Sequence, residues 1–227
     1  LTGGLSYSII ESGYTPGQIL CFGFGTLIRT IDGEMPVESL KLADQILTLD
    51  DGYQPLRWIG SKSLDTNHLK QNPKLRPIRI QAGSLGEGFP KKDLIVSPQH
   101  RILVRSKIAE RVFGATEVLI PAKKLLPLTG IEIQQENPAG VRYFRLMFSR
   151  HQIIFSNGSP TETLYFGPMV LKALPLESCL EIRALFPEIC GPQYHQKPAR
   201  PIMESGILAR KLVERHQKNS KPMFALV

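Results

Sequence analysis

The stretch ILCFGFGTLIRTIDGEMPVESL, residues 19–40, sets a single cysteine, Cys21, ahead of two glycines, a short apolar run and an Asp-Gly pair. Asp32-Gly33 between alternating runs is a hairpin signal, because tight two-residue turns need positive φ and glycine adopts it without strain. The same grammar recurs in DQILTLDDGYQPLRWIG (44–60), LRPIRIQAG (75–83), DLIVSPQHRILVR (93–105), TEVLIPAKKLL (116–126) and the long run from 130 to 158. Many short strands punctuated by turns predict an all-β sandwich or barrel-like fold up to about residue 166. Residues 60–75 and 83–93 are polar and read as loop insertions.

Beyond Gly158 the pattern changes. Apolar residues fall at helix-compatible spacing, with Pro175 and Pro187 as breakers. PIMESGILARKLVERHQK reads as an amphipathic C-terminal helix with Ile207, Leu208 and Leu212 on one face. A β domain followed by a helical appendage is the expected organisation.

The chain has 227 residues, 42% hydrophobic and 21% charged, which suits one good-sized globular domain with appendages. No apolar run is long enough to cross a membrane, so no transmembrane segment is expected. The first residues lack the basic-then-apolar pattern of a signal peptide. Because the sequence does not begin with Met, it is expected to be part of a longer protein. The net charge of +8 sits largely in residues 197–221, and no nucleic-acid-binding module is recognisable, so nucleic acid is not an expected partner. Three cysteines do not make a disulfide framework. Cys179 and Cys190 read as core or half-buried thiols or as a pair, and they do not fix the compartment.

Cys21 is either a small buried hydrophobe or a nucleophile. A free thiol has a pKa of about 8.5, so it needs a neighbouring base or cation to react near neutrality. Among the five histidines, His68 lies in a polar stretch, and His195 and His216 lie in the basic tail and read as solvated. His100 and His151 differ, since each occupies a turn between two strongly apolar runs, where a rigid sheet would present it. The alternative for both is a half-exposed turn histidine. In SPQH, Ser97 and His100 are three apart with Pro98 between them, so a hydroxyl and an imidazole can face one point and polarise a peptide carbonyl. There is no Cys-x-x-Cys and no histidine pair at ligand spacing, so neither a metal nor a cofactor is expected.

These residues carry a resemblance. Residues 21–60 resemble the opening block of the Hint domain shared by Hedgehog autoprocessing domains and inteins, and are most similar to bacterial Hint-type domains. Residues 93–104 resemble the histidine-bearing block, with Ser97 where threonine is usual, and residues 143–168 resemble the closing block. The resemblance implies a mainly β, compact, horseshoe-like fold with pseudo-twofold symmetry plus the helical C-terminal appendage. It divides the chain into an upstream flank (1–20), a Hint domain (21–168) and a helical extension (169–227).

It also implies self-processing. Cys21 would attack the Leu20 carbonyl in an N-to-S acyl shift, so the chain's own N-terminal flank is the substrate. Water, an amine or a thiol would resolve the thioester, in a single turnover rather than by multiple-turnover enzymology. By the motif, His100 donates a proton to the leaving amine, Ser97 holds or polarises the scissile bond, and His151 assists the second step. Thr26 is assigned no role. Two departures stand out: Glu162 and Thr163 occupy the place of the intein His-Asn pair, and Phe144 lies near the place of the closing-block aspartate. Two-sided splicing is therefore not expected. A secreted or surface-displayed place in a larger bacterial protein is one localisation the resemblance leaves open. A silent Hint-fold interaction module and a cysteine hydrolase acting in trans are the competing readings.

Overall fold

The structure is a computed structural model and describes residues 20–135, 139–165, 197–203 and 205–225. In chain order the strands are β1 (Phe22–Gly23), β2 (Leu27–Thr30), β3 (Gly33–Pro36), β4 (Gln45–Leu47), β5 (Tyr53–Pro55), β6 (Trp58–Leu64), β7 (Ile78–Ile80) and β8 (Leu94–Val96). They continue with β9 (Arg101–Arg105), β10 (Glu117–Pro121), β11 (Ile131–Ile133), β12 (Val141–Met147), β13 (Ile153–Ser156) and β14 (Ser159–Glu162). The helices are α1 (Thr66–Gln71), α2 (Lys107–Phe113) and α3 (Gly206–Lys218).

The strands form two antiparallel sheets. One has the order β11-β7-β8-β1-β12-β6; the other runs β10-β9-β14-β13-β2-β4-β5, with β3 paired to β2. The turn signals work as read, with small shifts. β2 meets β3 through Ile31 and Asp32, and Gly33, at φ 111°, is already paired with Thr30. Asn157 and Gly158, at φ 46° and 82°, join β13 to β14 in a two-residue turn with positive φ at both positions, the type I′ geometry. The Asn157 amide also clamps two other strands' ends: Leu27 N–H donates to its Oδ1 at 2.7 Å, and its Nδ2 donates to the Asp93 carbonyl at 2.8 Å.

Two apolar clusters organise the body. One collects Phe22, Ile28, Ile46, Leu56, Phe144, Leu146 and Ile154. The other collects Ile78, Ile80, Leu94, Val96, Ile102, Val104 and Ile120 together with Ala109 of α2 and Ala209, Leu212 and Val213 of α3. In the first sheet β1 lies between β8, which feeds the second cluster, and β12, which feeds the first.

Three local expectations change. Residues 60–75 are not a loop: β6 extends to Leu64, and α1 follows, capped by Asp65, whose Oδ1 accepts from His68 N–H at 2.7 Å. α2 went unread because it is only seven residues long. Its ends nonetheless carry the right residues, a Ser106 N-cap and Gly114 at φ 74° as C-cap. In α3 the buried face is Ala209, Leu212, Val213 and His216, spaced i, i+3, i+4, i+7. Ile207 is 82% exposed, since at about 100° per residue it lies roughly 140° from Leu212. His216 is accordingly buried, not solvated: Nδ1 lies 3.1 Å from the Lys221 carbonyl and Nε2 3.0 Å from Ser106 Oγ, tying α3 to the start of α2. His195, Cys179, Cys190 and the helix-compatible run between Pro175 and Pro187 lie outside the described residues.

Leu212→Ala is expected to lower stability by about 2–5 kcal/mol, whereas Ile207→Ala should stay within about 0.5 kcal/mol of wild type. Urea unfolding of both variants checks the assignment of the buried face; equal losses would contradict it.

Candidate active site

Strand register determines what surrounds Cys21. β1 pairs antiparallel with β8 through Phe22↔Val96 and with β12 through Phe22↔Phe144. Carrying each register one residue back puts Ser97 on one side of Cys21 and Arg145 on the other. Directly opposed residues share a face, so the three side chains converge. The contacts follow. Cys21 N–H donates to Ser97 Oγ at 3.0 Å, and Ser97 N–H donates back to the Cys21 carbonyl at 3.0 Å. From the other side Arg145 Nε–H donates to Cys21 Sγ at 3.4 Å. The Cys21 nitrogen belongs to the Leu20–Cys21 peptide bond, so Ser97 touches that bond directly.

Cys21 is 1% exposed and packs with Tyr143, Leu64 and Leu69. Burial pushes its thiol pKa up; the charge and hydrogen bond of Arg145, and then the charge of Lys62, pull it back without cancelling the rise. The Tyr143 phenol donates to the Leu75 carbonyl at 3.0 Å, and burial raises its pKa further from neutrality, so it stays protonated.

His100 is buried, which removes the half-exposed alternative. Its turn is closed by His100 N–H donating to the Ser97 carbonyl at 3.0 Å, and Ala122 N–H donates to the His100 carbonyl at 2.8 Å. The ring sits edge-on to Phe22 with centroids 4.4 Å apart. Among the described residues neither ring nitrogen has a hydrogen-bond partner, an uncommon state for a buried polar group. Burial lowers its pKa to about 4, with the Glu162 carboxylate opposing the drop and Arg101 adding to it. His100 is therefore a neutral imidazole at pH 7, one residue along the chain from a paired cation.

His151, also buried, belongs to a second group. Its Nδ1 accepts from Ala199 N–H at 3.0 Å, which puts the ring proton on Nε2. That nitrogen faces Glu162 Oε2 at 3.4 Å, long and poorly aligned for a hydrogen bond, so the contact is mainly electrostatic. Glu162 is fully buried and is held by Arg101 twice: the backbone N–H donates to Oε1 and Nη1 donates to Oε2, each at 2.8 Å. Burial penalises the carboxylate, but the His151 contact and the Arg101 charge outweigh it, and its pKa lies below the ordinary range.

Of the four residues singled out from sequence, Cys21 and Ser97 are in direct contact. His100 abuts them through Phe22, and its charge environment connects it to the Glu162 group that contains His151. Thr26 Oγ1 donates to the Gly23 carbonyl at 2.7 Å and serves the turn. Arg145 and Arg101 were missed, and Glu162 was noted only as a departure from the family pattern. A lone arginine inside the apolar run YFRLMF was the available signal for Arg145, and strand register, absent from the sequence, was what it needed. Among the described residues no group of three or more His, Cys, Asp or Glu side chains could hold a metal ion. No helix of the described residues is long and apolar enough to cross a membrane.

Residues 20–168 match the family model described as "Hint domain". No curated protein matches the chain. Among solved structures, the bacterial intein-like domain from Clostridium thermocellum is similar at 9% identity and a TM-score of 0.40, covering 64% of this chain and 99% of that one. A splice-inactive variant of the AceL NrdHF class 3 split intein is similar at 14% identity and a TM-score of 0.43, covering 66% and 100%. The gp41-1 intein is similar at 12% identity and a TM-score of 0.37, covering 62% and 96%.

The buried neutral His100 makes folding acid-sensitive. With a folded pKa of about 4 against about 6.5 unfolded, the unfolded chain takes up the proton first. Its contribution is intact above about pH 6.5 and is lost as the pH falls towards 4, amounting to roughly 3 kcal/mol. His216, also lowered by burial, acts in the same direction. Urea midpoints at pH 7.5, 6 and 5 should fall less steeply for His100→Leu than for wild type; parallel slopes would contradict the assignment.

Proposed function

The chain belongs to the Hint domain family, and we propose that it processes itself through an N-to-S acyl shift at the Leu20–Cys21 bond. Residues 1–20 are then the end of its own substrate, 21–168 the processing unit and 169–227 an extension. The observation that carries the proposal is the hydrogen bond from the Leu20–Cys21 nitrogen to Ser97 Oγ at 3.0 Å, on the same residue whose sulfur meets Arg145.

The chemistry balances within the site. Amide resonance makes the C–N bond a poor target. Cys21 Sγ attacks the Leu20 carbonyl carbon, a C–S bond forms, the C–N bond breaks, and the thiol proton ends on the Cys21 nitrogen. A neutral imidazole accepts a proton on one nitrogen and releases one from the other, so neutral His100 suits this transfer. Ser97 Oγ holds the nitrogen as it loses planarity. Water, an amine or a thiol then attacks the thioester and restores the Cys21 thiol, with His151 assisting. Glu162 and Thr163 leave no asparagine at the closing position, so two-sided splicing is not proposed.

One feature favours a second reading, a silent Hint-fold module: burial raises the pKa of the very thiol that must react. Placing a reporter protein ahead of residue 1 separates the two. Wild type should release the reporter at Leu20–Cys21, faster with dithiothreitol and with hydroxylamine. Cys21→Ala should abolish release, and His100→Ala should slow it by roughly a hundredfold or more. A wild-type fusion that stays intact under both reagents would overturn autoprocessing in favour of the silent module. Thioester trapping at the wild-type rate in His100→Ala would remove His100 from its role.

A further inference from the structure

We propose that Arg145 is a catalytic residue of the Cys21 reaction, supplying the fixed positive charge that stabilises the sulfur as it ionises to attack. This rests on the reading of Cys21 as nucleophile.

Arg145 is in the middle of β12, between Phe144 and Leu146, and is 4% exposed. Arginine cannot shed its proton in a protein, so a buried guanidinium calls for an anion. Among the described residues no carboxylate pairs with it. What it meets is the Cys21 sulfur, at 3.4 Å. A thiol is a weak acceptor, whereas a thiolate is a full counter-ion, so ionising Cys21 satisfies both groups at once.

The surroundings leave this job to Arg145. On β8's side Ser97 contributes a hydroxyl. His100 in the following turn is neutral near pH 7. On β12 itself Tyr143 stays protonated. On β6 Lys62, opposite Tyr143, is exposed, so water screens its charge. α1 contributes the apolar Leu69. The residue opposite Arg145 on β6 is Gly60, where an added Cβ would fall 2.2 Å from the Trp58 ring. A side chain there would collide with that ring.

Arg145 stays protonated throughout. The sulfur's proton passes to the Cys21 nitrogen as described above, and Arg145 contributes charge and aim only.

The test titrates the Cys21 thiolate by its absorbance at 240 nm, as the difference from the matching Cys21→Ser chain. A His100→Ala background slows cleavage, so the Leu20–Cys21 bond outlasts the titration. Arg145→Gln should raise the midpoint by at least about one pH unit, a tenfold loss of thiolate, while Arg145→Lys should stay within about half a unit. Arg145→Met, also neutral and similar in length, replaces the glutamine variant if that chain does not fold. With His100 present, cleavage by the neutral variant should be roughly tenfold slower at pH 7, and the deficit should shrink only as the pH rises past the wild-type thiolate midpoint. A merely structural role would slow cleavage equally at every pH. An unmoved midpoint in the neutral variant overturns the inference. Absence of wild-type cleavage overturns autoprocessing instead, and the titration midpoint still decides the role of Arg145.

Discussion

The register of a two-residue strand governs this molecule. β1 consists of Phe22 and Gly23, yet it is paired on both edges, and those pairings determine which residues flank Cys21. Side chains alternate along a strand, so a slip of one residue would turn Cys21 to the opposite face, away from Ser97 and Arg145. Several features prevent the slip. Phe22 is locked into the apolar cluster with Phe144 and Leu146. Gly23 lies so close to β8 that a Cβ would fall 2.8 Å from Ile95, so no larger residue can take its place in the register. Phe24 N–H then donates to the Arg142 carbonyl at 3.0 Å, and Thr26 returns to the Gly23 carbonyl, closing the chain into β2.

Among the described residues, Glu162 and Arg145 are buried charges, and they are satisfied differently. Glu162 is saturated, with Arg101 donating through both backbone and guanidinium and His151 facing it from a third direction. Because Arg101 directly follows His100, that ion pair also anchors the end of the turn presenting the imidazole. Removing one partner of such a pair leaves a bare buried charge, typically at a cost of about 3–5 kcal/mol. Arg145 has a softer counterpart, a thiol that becomes a true partner only on losing its proton. The first centre fixes structure; the second leaves its charge incompletely matched at the place where a reaction would create an anion.

The sequence carried the strand-and-turn pattern well, because hairpin chemistry is local: Asp51-Gly52 and Asn157-Gly158 announce themselves. It also singled out His100 and His151, since a histidine in a turn between two apolar runs is conspicuous. What it could not carry was anything decided by pairing across the chain. Arg145 lies 124 positions from Cys21 and Glu162 lies 61 from Arg101, and only strand register brings them together. Phe144, marked as a departure from the expected pattern, faces the opposite side of β12 from Arg145, so the residue beside the thiol is one position further on. The C-terminal helix was read correctly as a helix but with its face misplaced, because Ile207 is apolar and the 3.6-residue period, not hydrophobicity, decides which side packs.

The two histidines, alike in sequence setting, end with different hydrogen-bond partners. His151 is engaged at one nitrogen: Ala199, from a segment that returns to the body near its C-terminal end, occupies Nδ1, and Nε2 faces Glu162 at 3.4 Å without a hydrogen bond. His100 has neither nitrogen engaged among the described residues, is held neutral by burial, and is fixed through its backbone beside the residue that binds the peptide nitrogen. An acyl shift from nitrogen to sulfur needs no net proton, only the movement of one from sulfur to nitrogen. A neutral imidazole with both nitrogens uncommitted fits that requirement. Glu162, at the place where the resemblance would put a histidine, instead faces His151 at 3.4 Å and is held by Arg101.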